Sequence, residues 1–142
     1  MNKQFLEHYR RLALSESCLS ADPSTKVGAV VAFGLSHCWT GYNHLLPGTP
    51  KEYWYDREKK YKFVVHAEVA AIRSAGMGVH GGTLFCTAHP CKECAKLIVA
   101  SGIRCVVCPG EPWRDDPAVI ETVNDAKEIF VTCRVATLYH KD

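Results

Sequence analysis

Two short segments combine the residue types that bind metals and move protons. The first is a His-Ala-Glu triplet at residues 66–68, and the second is Pro-Cys-Lys-Glu-Cys at residues 90–94. Cys91 and Cys94 are three residues apart at the predicted start of a helix, so their sulfur atoms point to the same side within one turn. The helix dipole and the unpaired N–H groups at that end favour the thiolate, which is the form of cysteine that binds metal.

A catalytic zinc site is predicted if His66 supplies a third ligand from the start of a neighbouring helix. Three protein ligands leave the fourth tetrahedral position of Zn²⁺ for water, which is typical of catalytic sites. Glu68 need not be a ligand, because its carboxylate can instead take a proton from the bound water and return it to a leaving group. Since His66 and Glu68 are two residues apart, they converge only if His66 is the cap or the first residue of its helix.

A structural zinc site is the main alternative for the cysteine pair. Such a site needs a fourth cysteine or histidine at ligand spacing, and His89 is the nearest candidate. His89 precedes Pro90 directly, so it could instead lie behind the ligands or line a substrate site. The order of the two segments, each opening a predicted helix, favours the catalytic interpretation.

The chain has eight cysteines, and the other six are predicted not to bind the metal. Cys105 and Cys108 have ligand-like spacing, but they lie in a predicted strand, where residues three apart face opposite sides of the sheet. Two thiols that diverge cannot chelate one ion, so we expect both to be packing residues. Cys86 lies in another predicted strand and has the same expected role. The cysteines without a ligand-like partner in the sequence are Cys18, Cys38 and Cys133.

Length and composition indicate one globular domain over residues 1–142. The chain has a formal net charge of +2, with 47% hydrophobic and 23% charged residues, which argues against disorder. The balanced charge gives no electrostatic footprint for duplex nucleic acid or a membrane surface. The longest apolar stretch, residues 27–33, is too short to span a bilayer. The first ten residues hold no signal-peptide core, so we expect a cytoplasmic protein whose reduced thiols serve metal or catalytic chemistry.

The elements that must position the two segments alternate between strands and helices. Apolar residues follow helical spacing in the opening segment, and Asp22-Pro23 is predicted to end that helix. Residues 44–62 are predicted to be a long surface excursion that can include a short helix. The predicted strands cover residues 27–33, 38–43, 63–65, 83–87, 103–108 and 131–138. The predicted later helices cover residues 66–74, residues 91–101 and a segment that begins near Pro117 with Asp115 or Asp116 as its cap.

This order of elements predicts an α/β fold with a mixed sheet. Strands that alternate with helices of about ten residues favour parallel, right-handed connections in the later part of the chain. The first two strands are joined by a short turn at Gly34, so they are predicted to form an antiparallel pair at one edge.

The chain resembles the zinc-dependent cytidine and deoxycytidylate deaminase superfamily, and within it the deoxycytidylate (dCMP) deaminases of viral and phage type. The pattern His-Xaa-Glu followed by Pro-Cys-Xaa-Xaa-Cys is that of nucleobase deaminases. Flanking blocks point to the dCMP branch, and they are residues 22–30 (DPSTKVGAV), 41–43 (GYN), 64–68 (VVHAE), 90–98 (PCKECAKLI) and 101–103 (SGI). The resemblance implies a three-layer αβα cytidine-deaminase-like fold, with a mixed five-stranded sheet and helices on both faces.

The same resemblance implies zinc ligation by His66, Cys91 and Cys94, with Glu68 as the proton shuttle. The implied reaction is hydrolytic deamination at C4 of a deoxycytidine nucleotide. It converts dCMP and water to dUMP and ammonia and so feeds thymidylate synthesis. The implied mechanism has the water attack C4 while Glu68 carries protons to N3 and then to the leaving ammonia.

The resemblance also implies contacts with the nucleotide. Asn43 would hydrogen-bond the deoxyribose, and Lys26 is a candidate phosphate contact. Trp113 and Arg114 would cover the base and the phosphate, since an aromatic face stacks on a pyrimidine and a guanidinium suits a phosphate. The alternative for this pair is a surface contact that only packs. The implied substrate-binding set is Ser24, Thr25, Lys26, Asn43, Ala67, Trp113 and Arg114.

Two positions depart from the family's pattern. His44 stands where glycine usually follows Gly-Tyr-Asn, in a region that takes part in binding the activator dCTP and the inhibitor dTTP in regulated relatives. Allosteric control by these effectors therefore stays open. Ala70 stands where the family usually has asparagine two residues after the catalytic glutamate, and this change could loosen substrate choice.

Other activities remain alternatives at this point. A dual dCMP/dCTP deaminase would use Mg²⁺ with the triphosphate, and cytidine or tRNA adenine are substrates of related branches. The free-cytidine branch usually has cysteine in place of His66, and the tRNA branch predicts a more basic groove. A zinc-binding nucleotide sensor without activity has no need of Glu68.

A deaminase of single-stranded DNA needs a basic and aromatic channel. The tract at residues 53–61 carries aromatic and basic side chains, but nearby acidic residues reduce its positive charge. We expect this tract to be a solvated contact in a homo-oligomer, for which the resemblance favours a hexamer. Neither a membrane nor a nucleic acid is an expected partner.

Overall fold

The computed structural model describes residues 2–141, which form a five-stranded sheet, a separate two-stranded ladder and surrounding helices. The strands are β1 (Gly28–Phe33), β2 (His37–Tyr42), β3 (His44–Leu45), β4 (Val64–Val65), β5 (Thr83–Cys86), β6 (Cys105–Pro109) and β7 (Ala136–His140). The helices are α1 (Lys3–Ser17), α2 (Arg57–Phe63), α3 (Ala67–Ala75), α4 (Lys92–Ala100) and α5 (Pro117–Thr132), with 3₁₀ turns at Lys51–Tyr55 and Gly76–Val79.

The main sheet has the strand order β2-β1-β5-β6-β7 and mixes both pairing directions. Strand β1 pairs antiparallel with β2 on one side and with β5 on the other. Strands β5, β6 and β7 run parallel to one another. The predicted mixed sheet, with an antiparallel pair at one edge, is therefore confirmed. The β3–β4 ladder pairs His44 with Val65, directly before the His-Ala-Glu triplet.

Helices cover both faces of the sheet, so the three-layer prediction is confirmed. Strand β1 is buried from Gly28 to Ala32, because its alternate side chains enter two different apolar clusters. Val30 and Ala32 pack with Tyr9 and Ala13 of α1 on one face. Ala29 and Val31 pack on the other face with the cluster that α3, α4 and α5 complete, which includes Ala71, Ile98 and Phe130.

Three helices begin directly after a strand or loop, and in two of them the side chain of the N-cap residue accepts a backbone hydrogen bond. Helix α5 has Asp116 as its N-cap, where Asp116 Oδ1 accepts a hydrogen bond from Ala118 N at 2.9 Å, and Pro117 follows at the first helical position. Helices α3 and α4 have His66 and Cys91 as their N-caps. The candidate metal ligands and Glu68 thus lie at the starts of helices that follow a strand or a loop.

The predicted strand at residues 131–138 is wrong in its first half. Helix α5 continues to Thr132, Arg134 adopts a left-handed backbone with φ of 60°, and β7 begins only at Ala136. Val131 is 78% exposed on the solvent side of the helix. The apolar side chain of Val131 is therefore a sign neither of burial nor of a strand.

Two further predictions need correction. The opening helix ends at Ser17, before Asp22-Pro23, because a turn follows in which Ser20 Oγ donates to Asn43 O at 2.8 Å. The excursion at residues 44–62 contains the expected short helix, which is most of α2, but it also contains β3 and a 3₁₀ turn that were not predicted. Across residues 2–141, no helix has the length and apolar content that crossing a membrane requires.

Candidate active site

The three predicted metal ligands meet at one point. The ligand atoms of His66, Cys91 and Cys94 all lie within 4.8 Å of one another. His66 Nδ1 is 3.2 Å from Cys94 Sγ and 3.6 Å from Cys91 Sγ. A tetrahedral zinc centre with bonds of about 2.0–2.3 Å separates its ligand atoms by about 3.5–3.8 Å, so this donor set fits Zn²⁺ in both chemistry and spacing.

Both ligand-bearing helices begin at a ligand. His66 is the N-cap of α3 in extended conformation, as the convergence of His66 and Glu68 requires. Cys91 is the N-cap of α4, and its Sγ accepts a hydrogen bond from Cys94 N at 3.4 Å. Because each cap residue lies outside the helical spiral, its side chain can turn towards the residues of the first turn.

The protonation of the three ligands is tightly linked. A hydrogen bond from the Cys94 thiol, with a further contribution from His66, lowers the pKa of Cys91 to about 4. The hydrogen bond with Cys91 raises the pKa of His66 to about 9 against the opposing effect of burial. The pKa of Cys94 is raised because its thiol donates to Cys91 and is buried. The three ligands thus share protons with one another, and a bound divalent cation would displace those protons.

Glu68 lies in the first turn of α3 and is only 5% exposed. Burial raises the pKa of its carboxyl group above the usual range, and nearby Cys91 adds to the increase while His66 opposes it. A carboxylate with a raised pKa is a stronger base than an ordinary carboxylate, which suits it to accept a proton from a water molecule. Its placement suits a proton shuttle better than a fixed anion.

A cavity of about 610 Å³ opens onto the ligands and Glu68. Its volume is within the usual range for small-molecule sites. The predicted substrate-binding residues on its wall are Ser24, Thr25, Asn43, Ala67, Trp113 and Arg114. Lys26 is not a wall residue, so the structure does not bring it to the place expected of a phosphate contact. Cys94 lies beneath the wall and is almost fully buried.

The carboxamide of Asn43 already holds the loop at residues 22–27. Asn43 Oδ1 accepts from Val27 N at 2.9 Å, while Nδ2 donates to Asp22 Oδ2 at 3.0 Å and to Thr25 O at 2.9 Å. Both amide hydrogens are therefore engaged within the protein. The predicted deoxyribose contact would have to use the remaining acceptor capacity of Oδ1.

One section of the cavity wall was not predicted from the sequence. Trp54, Tyr55, Arg57, Lys60 and Tyr61 all line the cavity, although their tract was predicted to be a solvated contact between subunits. Their mixture of aromatic and basic side chains was the available signal. Neighbouring acidic residues obscured this signal in the sequence. In the structure Asp56 does not face the cavity, because it caps α2, where its Oδ1 accepts a hydrogen bond from Lys59 N.

His89 is a wall residue and not a fourth ligand. It is 2% exposed, its Nδ1 donates to Pro90 O at 2.9 Å, and its Nε2 lies 3.4 Å from the Tyr139 hydroxyl. Burial lowers the pKa of His89, in agreement with a neutral ring. Among residues 2–141, the group of side chains able to hold a metal consists of His66, Cys91 and Cys94, which favours the catalytic over the structural arrangement.

The predicted separation of the second cysteine pair is confirmed. Cys108 is buried in the cluster beneath α3, α4 and α5, whereas Cys105 packs against the cluster under α1 on the opposite face. Burial raises the pKa of Cys108 to about 12, so it stays a neutral thiol. Cys86 is buried in the same cluster as Cys108, as expected of a packing residue.

Comparisons with known proteins agree with this site. The sequence model of the cytidine and deoxycytidylate deaminase zinc-binding region matches residues 3–109. A probable deoxycytidylate deaminase of Drosophila melanogaster is 34% identical over 137 residues, with 81% of this chain and 65% of the relative covered. Deoxycytidylate deaminase of Mus musculus is 31% identical over 118 residues, with 77% and 66% covered. The chain thus spans a little under two thirds of the length of these relatives.

The fold has a close counterpart among solved structures. The dCMP deaminase of cyanophage S-TIM5, in its apo form, superposes with a TM-score of 0.78 at 25% sequence identity. The superposition covers 99% of this chain and 100% of the phage enzyme. The sheet and the helices therefore belong to one shared architecture.

Proposed function

Because the chain belongs to the cytidine and deoxycytidylate deaminase family, we propose that it removes the amino group at C4 of a deoxycytidine nucleotide by hydrolysis. The proposed reaction converts dCMP and water to dUMP and ammonia. One observation carries this proposal. Glu68, a buried carboxyl group with a raised pKa, stands beside a His-Cys-Cys metal site on the wall of a cavity large enough for a nucleotide.

His66, Cys91 and Cys94 would hold the zinc ion. Bound there, Zn²⁺ would act as a Lewis acid and lower the pKa of a water molecule to about 7. The N-termini of α3 and α4 both point at this centre, and their dipoles favour the negative charge that develops on the attacking oxygen.

Glu68 moves the protons that the reaction requires. As the water oxygen bonds to C4, Glu68 accepts one proton and delivers it to N3. It then takes the remaining hydroxyl proton and passes it to the amino group, so that the C4–N bond breaks and ammonia leaves. Uracil keeps the oxygen at C4 and the hydrogen at N3, and Glu68 returns to its starting state.

The outer part of the cavity supports a nucleotide rather than a free base. Trp113 offers an aromatic face for the pyrimidine, and Arg114 offers a guanidinium for the phosphate, as the family resemblance implies. Arg57 adds a second guanidinium on the wall, from helix α2. Lys26, which lies off the wall, is a weaker candidate for this contact than either arginine.

The test is ammonia release by zinc-loaded protein from a panel of substrates. We expect the highest kcat/KM with dCMP, lower values with CMP and cytidine, and no release from single-stranded DNA. Comparable release from dCTP with Mg²⁺ would identify a dual dCMP/dCTP deaminase. Equal rates with dCMP and cytidine would contradict a phosphate contact by Arg114, and no release from any cytosine compound would overturn the proposed reaction.

The proposal extends to assembly, location and control. It places a homo-oligomer, expected to be a hexamer, in the cytoplasm, with dCTP and dTTP as candidate effectors. His44, the unusual residue after Gly-Tyr-Asn, has its Nδ1 donate to Leu45 O at 2.8 Å within the ladder that leads to His66. Sedimentation with and without each nucleotide measures subunit number and effector response together. An effector that changes neither sedimentation nor rate is excluded.

A further inference from the structure

We infer that Lys60 is a positioning residue of the nucleotide site, and that its ion pair with buried Asp22 holds the loop at residues 22–27 in its binding conformation. The inference rests on the proposed function and adds a specific device to it. Lys60 Nζ lies 2.8 Å from Asp22 Oδ1, and the two side chains are only 17% and 4% exposed. The pair joins α2 to a loop 38 residues earlier in the chain.

This ion pair differs from the helix-surface pairs of the protein. Glu93 and Lys96, for example, are neighbours on α4 whose side chains are 73% and 58% exposed, at a distance of 3.4 Å. Exposed pairs of that kind contribute little to stability because water and salt screen them. A buried carboxylate, by contrast, needs a partner cation, since leaving it unpaired carries a large desolvation cost.

Asp22 sets the conformation of the loop with both of its oxygens. Besides Lys60, Oδ1 accepts hydrogen bonds from the backbone N of Ser24 at 2.8 Å and of Thr25 at 3.2 Å. Oδ2 accepts from Asn43 Nδ2 at 3.0 Å. Since Ser24, Thr25 and Asn43 are wall residues of the cavity, one carboxylate organises three groups that face the substrate.

Lys60 reaches Asp22 from helix α2 and is itself held in place. Its Nζ lies 5.5 Å from the centre of the Trp54 ring, within the range of a cation–π contact. Two segments of the wall, α2 and the 22–27 loop, are thereby fastened to each other. Lys60 also neutralises Asp22, which would otherwise present an uncompensated negative charge beside a substrate that carries phosphate.

The effect of the Asp22 charge distinguishes a positioning role of Lys60 from a purely structural one. Without the Lys60 ammonium, Asp22 repels a phosphate but has little effect on an uncharged nucleoside. Lys60→Met should therefore raise KM for dCMP about tenfold, a usual size for coupled neighbours, while KM for deoxycytidine rises much less. We expect kcat and zinc content to stay within about twofold of the unmodified protein, because the ion pair does not touch the reacting atoms.

Matched variants complete the kinetic test. Lys60→Arg keeps the charge and should keep KM for dCMP near its original value. Lys62→Met, on the exposed side of the same helix, should change nothing. Adding Asp22→Asn to Lys60→Met should recover part of the lost affinity for dCMP, because the unpaired charge is removed. No increase in KM for either substrate would overturn the inference, and so would a double variant that recovers none of the lost affinity for dCMP.

Amide hydrogen exchange tests the same ion pair without any activity. Exchange at Ser24 N and Thr25 N should be faster in Lys60→Met than in Lys62→Met, because both amides donate to Asp22. Lys60→Gln serves the same comparison if the Met variant fails to fold. Unchanged exchange contradicts the proposed link. If the unmodified protein binds zinc but releases no ammonia, the proposed function fails, and exchange still decides the role of Lys60.

Discussion

Position in the backbone, more than residue type, separates the two candidate metal-binding cysteines from the other six. Cys91 and Cys94 share a helix start, where the cap geometry brings both sulfur atoms to His66 Nδ1. Cys105 and Cys108 have the same spacing on a strand, and their thiols enter different apolar clusters on opposite faces of the sheet. The period of each element therefore decides which pair can chelate.

Substitution of single cysteines tests this distinction. Cys94→Ala should remove stoichiometric zinc, because the two remaining ligands are fewer than the three protein ligands that a catalytic zinc site uses. Cys105→Ala, at the same spacing but on the strand, should keep it. Zinc content of the purified variants, measured by atomic absorption after dialysis, provides the comparison. Loss of zinc from Cys105→Ala, or its retention by Cys94→Ala, would contradict the assigned ligand set.

The candidate metal ligands and Glu68 were predictable from the sequence, whereas the pairing of Asp22 with Lys60 was not. The ligands carry a local signal, since spacing within one helical turn fixes their geometry. Asp22 and Lys60 are 38 residues apart, and each alone looks like an ordinary charged residue. Their pairing depends on the path of the intervening excursion, which no local pattern in the sequence specifies.

At the scale of elements, the close approach of β2 to α3 positions the catalytic helix. A Cβ atom added at Gly41 would lie 2.4 Å from Ala71 N and 2.7 Å from Ala67 O. Both are backbone atoms of the helix that begins at His66 and carries Glu68, so neither can move alone. Ala70, the departure from the family's pattern, lies at the same contact, where its carbonyl carbon is 2.9 Å from that added Cβ.

Gly41→Ala should therefore destabilise the fold through overpacking, by about 3 kcal/mol in the free energy of unfolding. Gly34→Ala is the matched control, since its added Cβ meets no atom within 4 Å but its φ of +57° is unfavourable for alanine. The expected cost there is about 1 kcal/mol. Urea unfolding measures both values. A smaller loss for Gly41→Ala than for Gly34→Ala would contradict the packing argument.

Elements with strong local signals were predictable, and short or ambiguous ones were not. The pair Asp116-Pro117 predicted the start of α5 correctly, because capping and the fixed φ of proline act within one turn. The start of β7 was wrong, since β-branched residues near Val131 suit a strand as well as a helix surface. The elements within residues 44–62 are too short for hydrophobic periodicity to be visible.

In the molecule as a whole, the sheet supports the candidate active site at one set of strand ends. Helix α1 covers one face, and α3, α4 and α5 cover the other. The sequence indicated this architecture, because alternating strands and helices allow few packing solutions. The cavity itself was not predictable, since its wall combines the loop at 22–27, helix α2 and the segment around Trp113.

The proposed role of Glu68 in moving protons during hydrolysis at a zinc site can be tested by a single comparison. Zinc-loaded protein and its Glu68→Gln variant are assayed for conversion of dCMP to dUMP, followed by absorbance and by released ammonia. Glu93→Gln, an exposed glutamate in the first turn of α4, is the matched control.

We predict that all three proteins hold equal zinc and that Glu93→Gln keeps full activity. Glu68→Gln should lose at least about 10²–10⁴-fold in kcat, the usual contribution of a general acid–base group. A Glu68→Gln protein that retains more than about a tenth of the activity at full zinc content would contradict the proposed role of Glu68 as the proton shuttle.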